Sequence, residues 1–101
     1  MRVEFNENEI KIMQIALDKW GLDAQVGQAV EECAELIVAF QKFTNRTPQK
    51  DSVNRIIDEI ADVEMMPAQI RLALDIDDKV LREHIECKFN KLGKYLSDDT
   101  I

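Results

Sequence analysis

The sequence VEECAELIVAF, residues 30–40, decides the fold of this chain together with IDEIADV, residues 57–63. In both stretches, carboxylates three residues apart border apolar residues instead of other polar ones. Side chains at this spacing lie on the same side of a helix, about one turn from each other. Two such helices packed side by side would bring four carboxylates together: Glu32, Glu35, Glu59 and Asp62.

This predicted carboxylate cluster requires a cation. Four carboxylates in a poorly hydrated groove cannot all stay ionised at short range unless a positive charge neutralises them. Ligands that are all oxygen atoms favour a hard cation. The sequence therefore predicts that Glu32, Glu35, Glu59 and Asp62 bind Mg²⁺, with Mn²⁺ as the alternative.

Length and composition favour one all-α domain that spans residues 1–101. The 101 residues are 46% hydrophobic and 33% charged, with only three glycines and two prolines. A sheet-rich protein would need more turn residues than this. The net charge of −7 argues against a broad basic surface for a nucleic-acid polymer.

Membrane insertion and secretion are not expected. No apolar run approaches the roughly 20 residues that span a bilayer. The first residues, MRVE, do not resemble the start of a signal peptide, so a cytoplasmic protein is expected. Cys33 and Cys87 are far apart in sequence and lie on apolar faces, which predicts buried free thiols.

Periodicity and capping residues predict four helices. The first runs from Glu7 to Trp20, with Asn6 and Glu9 as a capping box and Gly21 as its end. The second begins at residue 23 or 24 and ends near residue 43. A loop is predicted at 44–50. The third helix follows it, with Thr47-Pro48, Asp51 or Ser52 as its N-terminal cap. Pro67 predicts a kink near Met66 or a break into two helices. The fourth follows the cap DIDD at 75–78, and its buried side is predicted to comprise Leu81, Ile85, Phe89, Leu92 and Leu96.

The second helix has two distinct faces on a helical wheel. Its apolar arc is predicted to face the core and contains Val26, Ala29, Val30, Cys33, Leu36, Ile37 and Phe40. Gln28, Glu35 and Ala39 lie beside Glu32 on the adjoining strip, and Gln28 and Ala39 leave room there for a ligand. This helix has more apolar surface than one small bundle covers, which predicts a homodimer or homotetramer joined mainly through the second and third helices.

The two acidic stretches have the form E-E-x-x-E followed by E-x-x-D. This pattern resembles the MazG-like all-α nucleoside triphosphate pyrophosphohydrolases. The resemblance extends to Ile57-Asp58 and to Lys88-Phe89, and it covers the chain from about Trp20 to Leu96. It implies a four-helix MazG-like bundle completed by homo-oligomerisation. Pro67 departs from the usual unbroken third helix.

The resemblance also implies an activity and the residues that carry it. A metal-activated water would cleave an NTP or dNTP to the monophosphate and pyrophosphate, with Mg²⁺ held by the four carboxylates named above. Glu31 would be an outer ligand or would orient the water. Lys88, perhaps with Lys91, would contact phosphate oxygens, although solvated lysines are the simpler interpretation. Trp20 is interpreted first as a core residue and second as a stacking platform for the base.

Three alternatives stay open. Phosphoribosyl-ATP pyrophosphatase is a related all-α enzyme with the same type of site. A di-iron carboxylate bundle would need Glu-x-x-His on its helices, and neither acidic stretch contains a histidine. A non-catalytic helical interaction module would leave the acidic strips solvated.

Overall fold

The computed structural model describes residues 4–45 and 50–99, and within these ranges it contains four helices and no strand. The helices are α1 (Glu7–Trp20), α2 (Leu22–Asn45), α3 (Lys50–Ala73) and α4 (Asp78–Asp99). The predicted all-α class with four helices is confirmed for this part of the chain. Within the same ranges, no helix combines the length and the apolar character needed to cross a membrane.

Both ends of α1 lie where the sequence predicts them. The Asn6 side chain accepts a hydrogen bond from the Glu9 N–H, and the Glu9 side chain accepts one from the Asn6 N–H, each at 2.8 Å. At the other end, Gly21 has φ +85° and donates its N–H to the Leu17 carbonyl at 2.9 Å. A side chain is strained at this φ, so glycine permits α2 to begin one residue after α1 ends.

The third helix is continuous through Pro67 as far as Ala73. Pro67 is exposed, and a proline within a helix removes one backbone donor without ending the helix if packing holds both sides. The predicted alternative of a break into two helices is therefore wrong. Asp51 and Ser52 lie within the first turn of α3 and do not cap it, whereas Thr47-Pro48 lies outside the described residues.

The end of α3 is a Schellman turn. The Ile76 N–H donates to the Arg71 carbonyl at 3.0 Å, and the Asp75 N–H donates to the Leu72 carbonyl at 3.3 Å. Asp75 has φ 53°, a left-handed conformation that aspartate tolerates better than most residues. Together these bonds fix the direction in which the chain leaves α3.

The next residues cap α4. The Asp77 side chain accepts a hydrogen bond from the Lys79 N–H at 2.8 Å, as an N-cap residue does. Across the turn, the Arg71 guanidinium lies 4.0 Å from the Asp78 carboxylate. The connection between α3 and α4 is therefore hydrogen-bonded on both sides.

The core lies between α2 and α3, which pack along their length as an antiparallel hairpin, while α1 makes a smaller contact with both. The buried apolar residues are small or flexible: Met13, Leu17, Ala29, Ala39, Met66 and Ala68. Three polar side chains, Gln25, Glu59 and Gln69, are buried among them. The residues through which α2 packs against its neighbours form a line along the helix, here called the packing line, which contains Gln25, Ala29, Glu32 and Ala39.

This packing line corrects the predicted core face of α2. Of the predicted arc, Ala29 is buried and Leu36 is half-buried, but Val26, Val30, Cys33, Ile37 and Phe40 are exposed. On α3, Val53, Ile57 and Ile60 are exposed as well, while Ile56 and Val63 are half-buried. The hairpin instead packs through the strip that carries the carboxylates, because small residues there permit close approach of the two helices.

The fourth helix does not join a bundle within one chain. Among the described residues, no Cα atom of α4 lies within 8 Å of one in α1, α2 or α3. Phe89, Leu92 and Leu96, predicted to be buried, are exposed, and Leu81 and Ile85 are only half-buried. The Cα radius of gyration is accordingly 16.7 Å, whereas a compact domain of this length has about 13 Å.

Two further burial predictions are wrong for the same reason. Cys33 and Cys87 are free thiols, as expected, but both are exposed: Cys33 lies on the outer arc of α2, and Cys87 lies on α4, whose described Cα atoms all stay more than 8 Å from those of the other helices. Trp20 is not a core residue: its side chain is 60% exposed at the end of α1, where the Lys19 ammonium lies 5.5 Å from the ring centroid.

Candidate metal centre

Three of the four predicted ligands meet between α2 and α3. Glu32 lies on α2, and Glu59 and Asp62 lie one turn apart on α3. One carboxylate oxygen from each residue lies within 4.8 Å of one from each of the others. Glu59 is only 6% exposed, while Glu32 and Asp62 are half-buried. The short spacing of acidic groups on two packed helices, predicted from the sequence, is thus present for these three residues.

The cluster contains acceptors that nothing in the chain satisfies. Glu32 Oε1 accepts a hydrogen bond from Gln28 Nε2 at 2.8 Å. Glu32 Oε2 and Glu59 Oε2 are buried and have no hydrogen-bond partner. No ion pair between described side chains involves Glu32, Glu59 or Asp62. Buried, unpartnered carboxylate oxygens are costly unless a cation or a proton compensates them.

The electrostatics of Asp62 reflect this crowding. Burial raises the pKa of the Asp62 carboxyl above its ordinary value. Glu32 raises this pKa further, both as a hydrogen-bond acceptor for the protonated form and through its charge, and the charge of Asp58 adds to the effect. All of these influences disfavour the ionised form of Asp62, which a bound cation would favour.

The donor set fits a hard divalent cation. It consists of carboxylate oxygens alone, which is the chemistry that Mg²⁺ and Mn²⁺ prefer to nitrogen or sulfur. Glu59 contributes a nine-tenths buried, unpartnered oxygen to the group, so the cluster differs from acidic residues that are simply solvated. Glu32, Glu59 and Asp62 are the residues that would hold the ion.

Glu35 and Glu31 lie outside this group. Glu35, the fourth predicted ligand, is exposed on the turn of α2 that follows Glu32. Glu31, predicted as an outer ligand or a water-orienting group, is exposed as well. The packing line of α2 passes through Glu32 and Ala39, which leaves these two neighbours on the solvent side.

The predicted substrate contacts are distributed over three helices. Gln28 is exposed and is bonded to Glu32, so it positions a carboxylate of the cluster. Trp20 is exposed at the end of α1, with the Lys19 ammonium 5.5 Å from its ring centroid. Lys88 and Lys91 are exposed on α4, and no described Cα atom of α4 lies within 8 Å of one in the hairpin that holds the cluster.

Sequence reasoning missed three polar residues near the packing line. The charge of Asp58 raises the pKa of Asp62. Because the two residues are four apart on one helix, this proximity could have been predicted from the sequence. Gln25 and Gln69 are buried, and Gln69 Oε1 has no hydrogen-bond partner. Nothing in the local sequence distinguishes either glutamine from a solvated one, because their burial depends on how the helices pack.

Comparison of the chain with protein-family models, with curated proteins and with solved structures finds no match.

Proposed function

We propose that this protein is a Mg²⁺-dependent nucleoside triphosphate pyrophosphohydrolase that cleaves NTPs or dNTPs to the monophosphate and pyrophosphate. One observation carries the proposal: Glu32, Glu59 and Asp62 gather their oxygens within 4.8 Å, and two of those residues retain a buried oxygen without a partner. The E-E-x-x-E and E-x-x-D pattern, and its resemblance to the MazG-like enzymes, supports the choice of reaction.

The proposed reaction requires a cation, because the site and the substrate are both negatively charged. A nucleoside triphosphate is a polyanion, and the cluster is itself acidic, so the two repel each other in the absence of metal. Mg²⁺ held by these carboxylates would neutralise both partners, polarise a phosphoryl oxygen and lower the pKa of the attacking water. An uncharged substrate would not need this neutralisation of charge.

Residues of the chain orient the reacting groups and accept the proton. The Gln28 amide holds Glu32 in one orientation through a 2.8 Å hydrogen bond. Glu31 and Glu35 present exposed carboxylates beside the cluster, from which they can orient a water that enters from solvent and accept its proton. Positioning and neutralisation of charge would supply most of the rate, as in other phosphoryl-transfer sites.

A panel of NTPs and dNTPs with Mg²⁺, scored for pyrophosphate and orthophosphate, tests the proposed reaction. Pyrophosphate release that EDTA abolishes is the expected result. Release of orthophosphate alone would mean that a different bond is cut. Phosphoribosyl-ATP belongs in the panel as the substrate of the related alternative, and absence of turnover with every compound would favour a non-catalytic helical module.

We also propose that the active form is a homo-oligomer. The outer arc of α2 leaves Val26, Val30, Ile37 and Phe40 exposed on one side of the hairpin. Monomers rarely leave a contiguous apolar face of this kind in contact with water. A second copy that packs on this face would bury it and complete a core that one chain of 101 residues does not provide.

A further inference from the structure

A groove of about 530 Å³ lies between α1 and α3, separate from the candidate metal centre. Its walls are mainly apolar and include Ile12 from α1 and Ile57, Ile60 and Met65 from α3. These four side chains are between 40% and 59% exposed. No carboxylate of the metal centre is among the described residues that line the groove. A concave, mostly apolar volume of this size is typical of small-molecule sites, which range from about 300 to 1,000 Å³.

One buried amide in the wall of this groove has an unsatisfied acceptor. Gln69 lines the groove and is 5% exposed, and its Oε1 has no hydrogen-bond partner. A buried acceptor without a donor destabilises the protein, and a donor that reaches it from the groove restores the missing bond. Rotation about the last side-chain torsion, which is broadly permitted in glutamine, turns this oxygen towards a ligand. Gln69 therefore favours a ligand that carries an N–H or O–H group.

The other polar side chains of the groove select the charge of the ligand. Glu9 from α1 and Glu64 from α3 line it with exposed carboxylates, and none of the described lining residues is basic. Glu9 accepts the Asn6 N–H through Oε1, and a carboxylate has further lone pairs that a cation can share. No ion pair between described side chains involves Glu64. The groove therefore attracts a cation and repels an anion.

We propose that the groove between α1 and α3 binds a small organic ammonium ion with an apolar body. The body lies against Ile12, Ile57 and Ile60, and the ammonium group donates a hydrogen bond to Gln69. The charges of Glu9 and Glu64 attract the ammonium into the groove. Such a ligand covers the apolar walls and satisfies the buried acceptor, whereas a purely apolar ligand does only the first. The site is separate from the proposed nucleotide chemistry and does not depend on it.

NMR of the methionine methyl groups with three matched compounds tests this site. At neutral pH 2-phenylethylamine is a cation, 2-phenylethanol is neutral and 3-phenylpropanoate is an anion. Met13 and Met65 line the groove, whereas the buried Met66 does not. The amine is expected to shift the resonances of Met13 and Met65 and to bind at least about tenfold more tightly than the anion. Equal binding of amine and anion, a shift confined to Met66, or no saturable shift would overturn the proposal.

Gln69→Leu tests the hydrogen bond within the groove. Leucine has a similar volume, lacks the acceptor and adds no methionine signal. The affinity for 2-phenylethylamine is expected to fall about tenfold, as on loss of a hydrogen bond to a charged group. Gln25→Leu is the matched control, because Gln25 is 7% exposed but does not line the groove. Equal losses of affinity in the two variants would mean that Gln69 acts through the packing of the helices and not through the ligand.

Glu64→Gln tests the charge of the groove at an exposed position, where the fold tolerates substitution. The affinity for 2-phenylethylamine is expected to fall about two- to fivefold, while that for 2-phenylethanol stays unchanged. Glu83→Gln is its matched control, since Glu83 is exposed on α4 and does not line the groove. The same loss with Glu83→Gln would show that only the net charge of the protein matters, and the proposed site would be wrong.

A second copy of the chain is the competing occupant of the groove. A contact between chains weakens on dilution, so it would make the resonances of Met13 and Met65 depend on protein concentration. If these resonances shift on dilution and do not respond to 2-phenylethylamine, the groove is a contact between chains and the ligand site is wrong. A response to the amine at every protein concentration supports the site. None of these measurements depends on whether the protein cleaves a nucleotide.

Discussion

The Gln28 side-chain amide donates a hydrogen bond to Glu32 Oε1 at 2.8 Å and leaves Glu32 Oε2 buried without a partner. The bond joins residues four apart on α2, so the helix itself sets its geometry. One oxygen of the carboxylate is thereby fixed, and the other is left for a ligand within the cluster. Gln28 acts on Glu32 from outside the proposed metal-binding group, in the position that hydrogen-bonding partners of metal ligands commonly occupy.

Replacement of Gln28 by methionine is expected to weaken Mg²⁺ binding. Methionine has a similar length and helix propensity but no amide donor, so Glu32 loses its fixed orientation while α2 is retained. Loss of such a supporting bond typically lowers metal affinity by about 10–100-fold. A titration of the melting temperature with Mg²⁺ measures the change.

Gln14→Met is the matched control for this substitution. Gln14 donates an equivalent hydrogen bond to Asp18 at 2.9 Å on α1, also four residues apart and exposed. Its loss should leave the Mg²⁺ dependence of melting unchanged. Equal effects of the two substitutions would mean that Gln28 stabilises the helix in general and does not support a metal site.

Glu59→Gln is expected to stabilise the metal-free protein and to abolish both turnover and stabilisation by Mg²⁺. The glutamine keeps the volume of the buried side chain and removes one of three negative charges that lie within 4.8 Å. Relief of this repulsion raises the melting temperature in EDTA. Melts of wild type and variant, each with EDTA and with Mg²⁺, measure both effects.

Glu35→Gln tests whether Glu35 is a metal ligand. Glu35 is exposed, so its substitution should change the stability of the metal-free protein by less than about 0.5 kcal/mol. If Glu35 joins the metal as the sequence pattern predicts, turnover is lost and Mg²⁺ affinity falls even though the metal-free melt hardly moves. Retention of full turnover would remove Glu35 from the ligand set.

The sequence predicted the helices well because their signals are local. The capping box at Asn6, the stop at Gly21 and the acidic cap before α4 each depend on neighbours within one turn. The meeting of Glu32, Glu59 and Asp62 was also predictable, since their spacing fixes a face and two antiparallel helices bring such faces together. The helix ends needed no knowledge of the tertiary packing, whereas the meeting of the carboxylates rested on the assumption that the two helices pack side by side.

The side of each helix that packs was not predictable in the same way. Val30 and Ile37 are more hydrophobic than Ala29 and Ala39, so a helical wheel assigns them to the core. In the structure, the alanines are buried and the larger residues are exposed. The small side chains permit the hairpin to close around its carboxylates, and the larger ones are left exposed. Hydrophobicity alone does not distinguish a core within one chain from a contact between chains.

The pKa of Asp62 predicts that the metal-free protein loses stability as pH rises. Burial and the charges of Glu32 and Asp58 raise this pKa in the folded state above its value in the unfolded chain. Between the two values the folded state binds more protons, so the free energy of unfolding falls as pH increases through that interval. Above the raised pKa, the contribution of Asp62 is constant.

Asp62→Asn provides the test of that pH dependence. In EDTA, denaturant melts of the wild type from acidic to neutral pH should show the loss of stability, and the variant should show a smaller loss over the same interval. Saturating Mg²⁺ should reduce the loss in the wild type, because the cation favours the ionised carboxylate. Identical profiles for the two proteins in EDTA would contradict the assigned environment of Asp62.

Ile37→Lys is expected to convert an oligomer into a monomer or to prevent folding. Ile37 is 58% exposed at the middle of the outer apolar arc of α2, where a second copy would desolvate the introduced ammonium. The adjacent Val38, 43% exposed, lies about 100° away around the helix. Val38→Lys therefore carries the same charge outside the arc and should preserve the oligomer. Light scattering at micromolar concentration distinguishes the species, and a wild type that is a stable, folded monomer at that concentration would exclude assembly through this face.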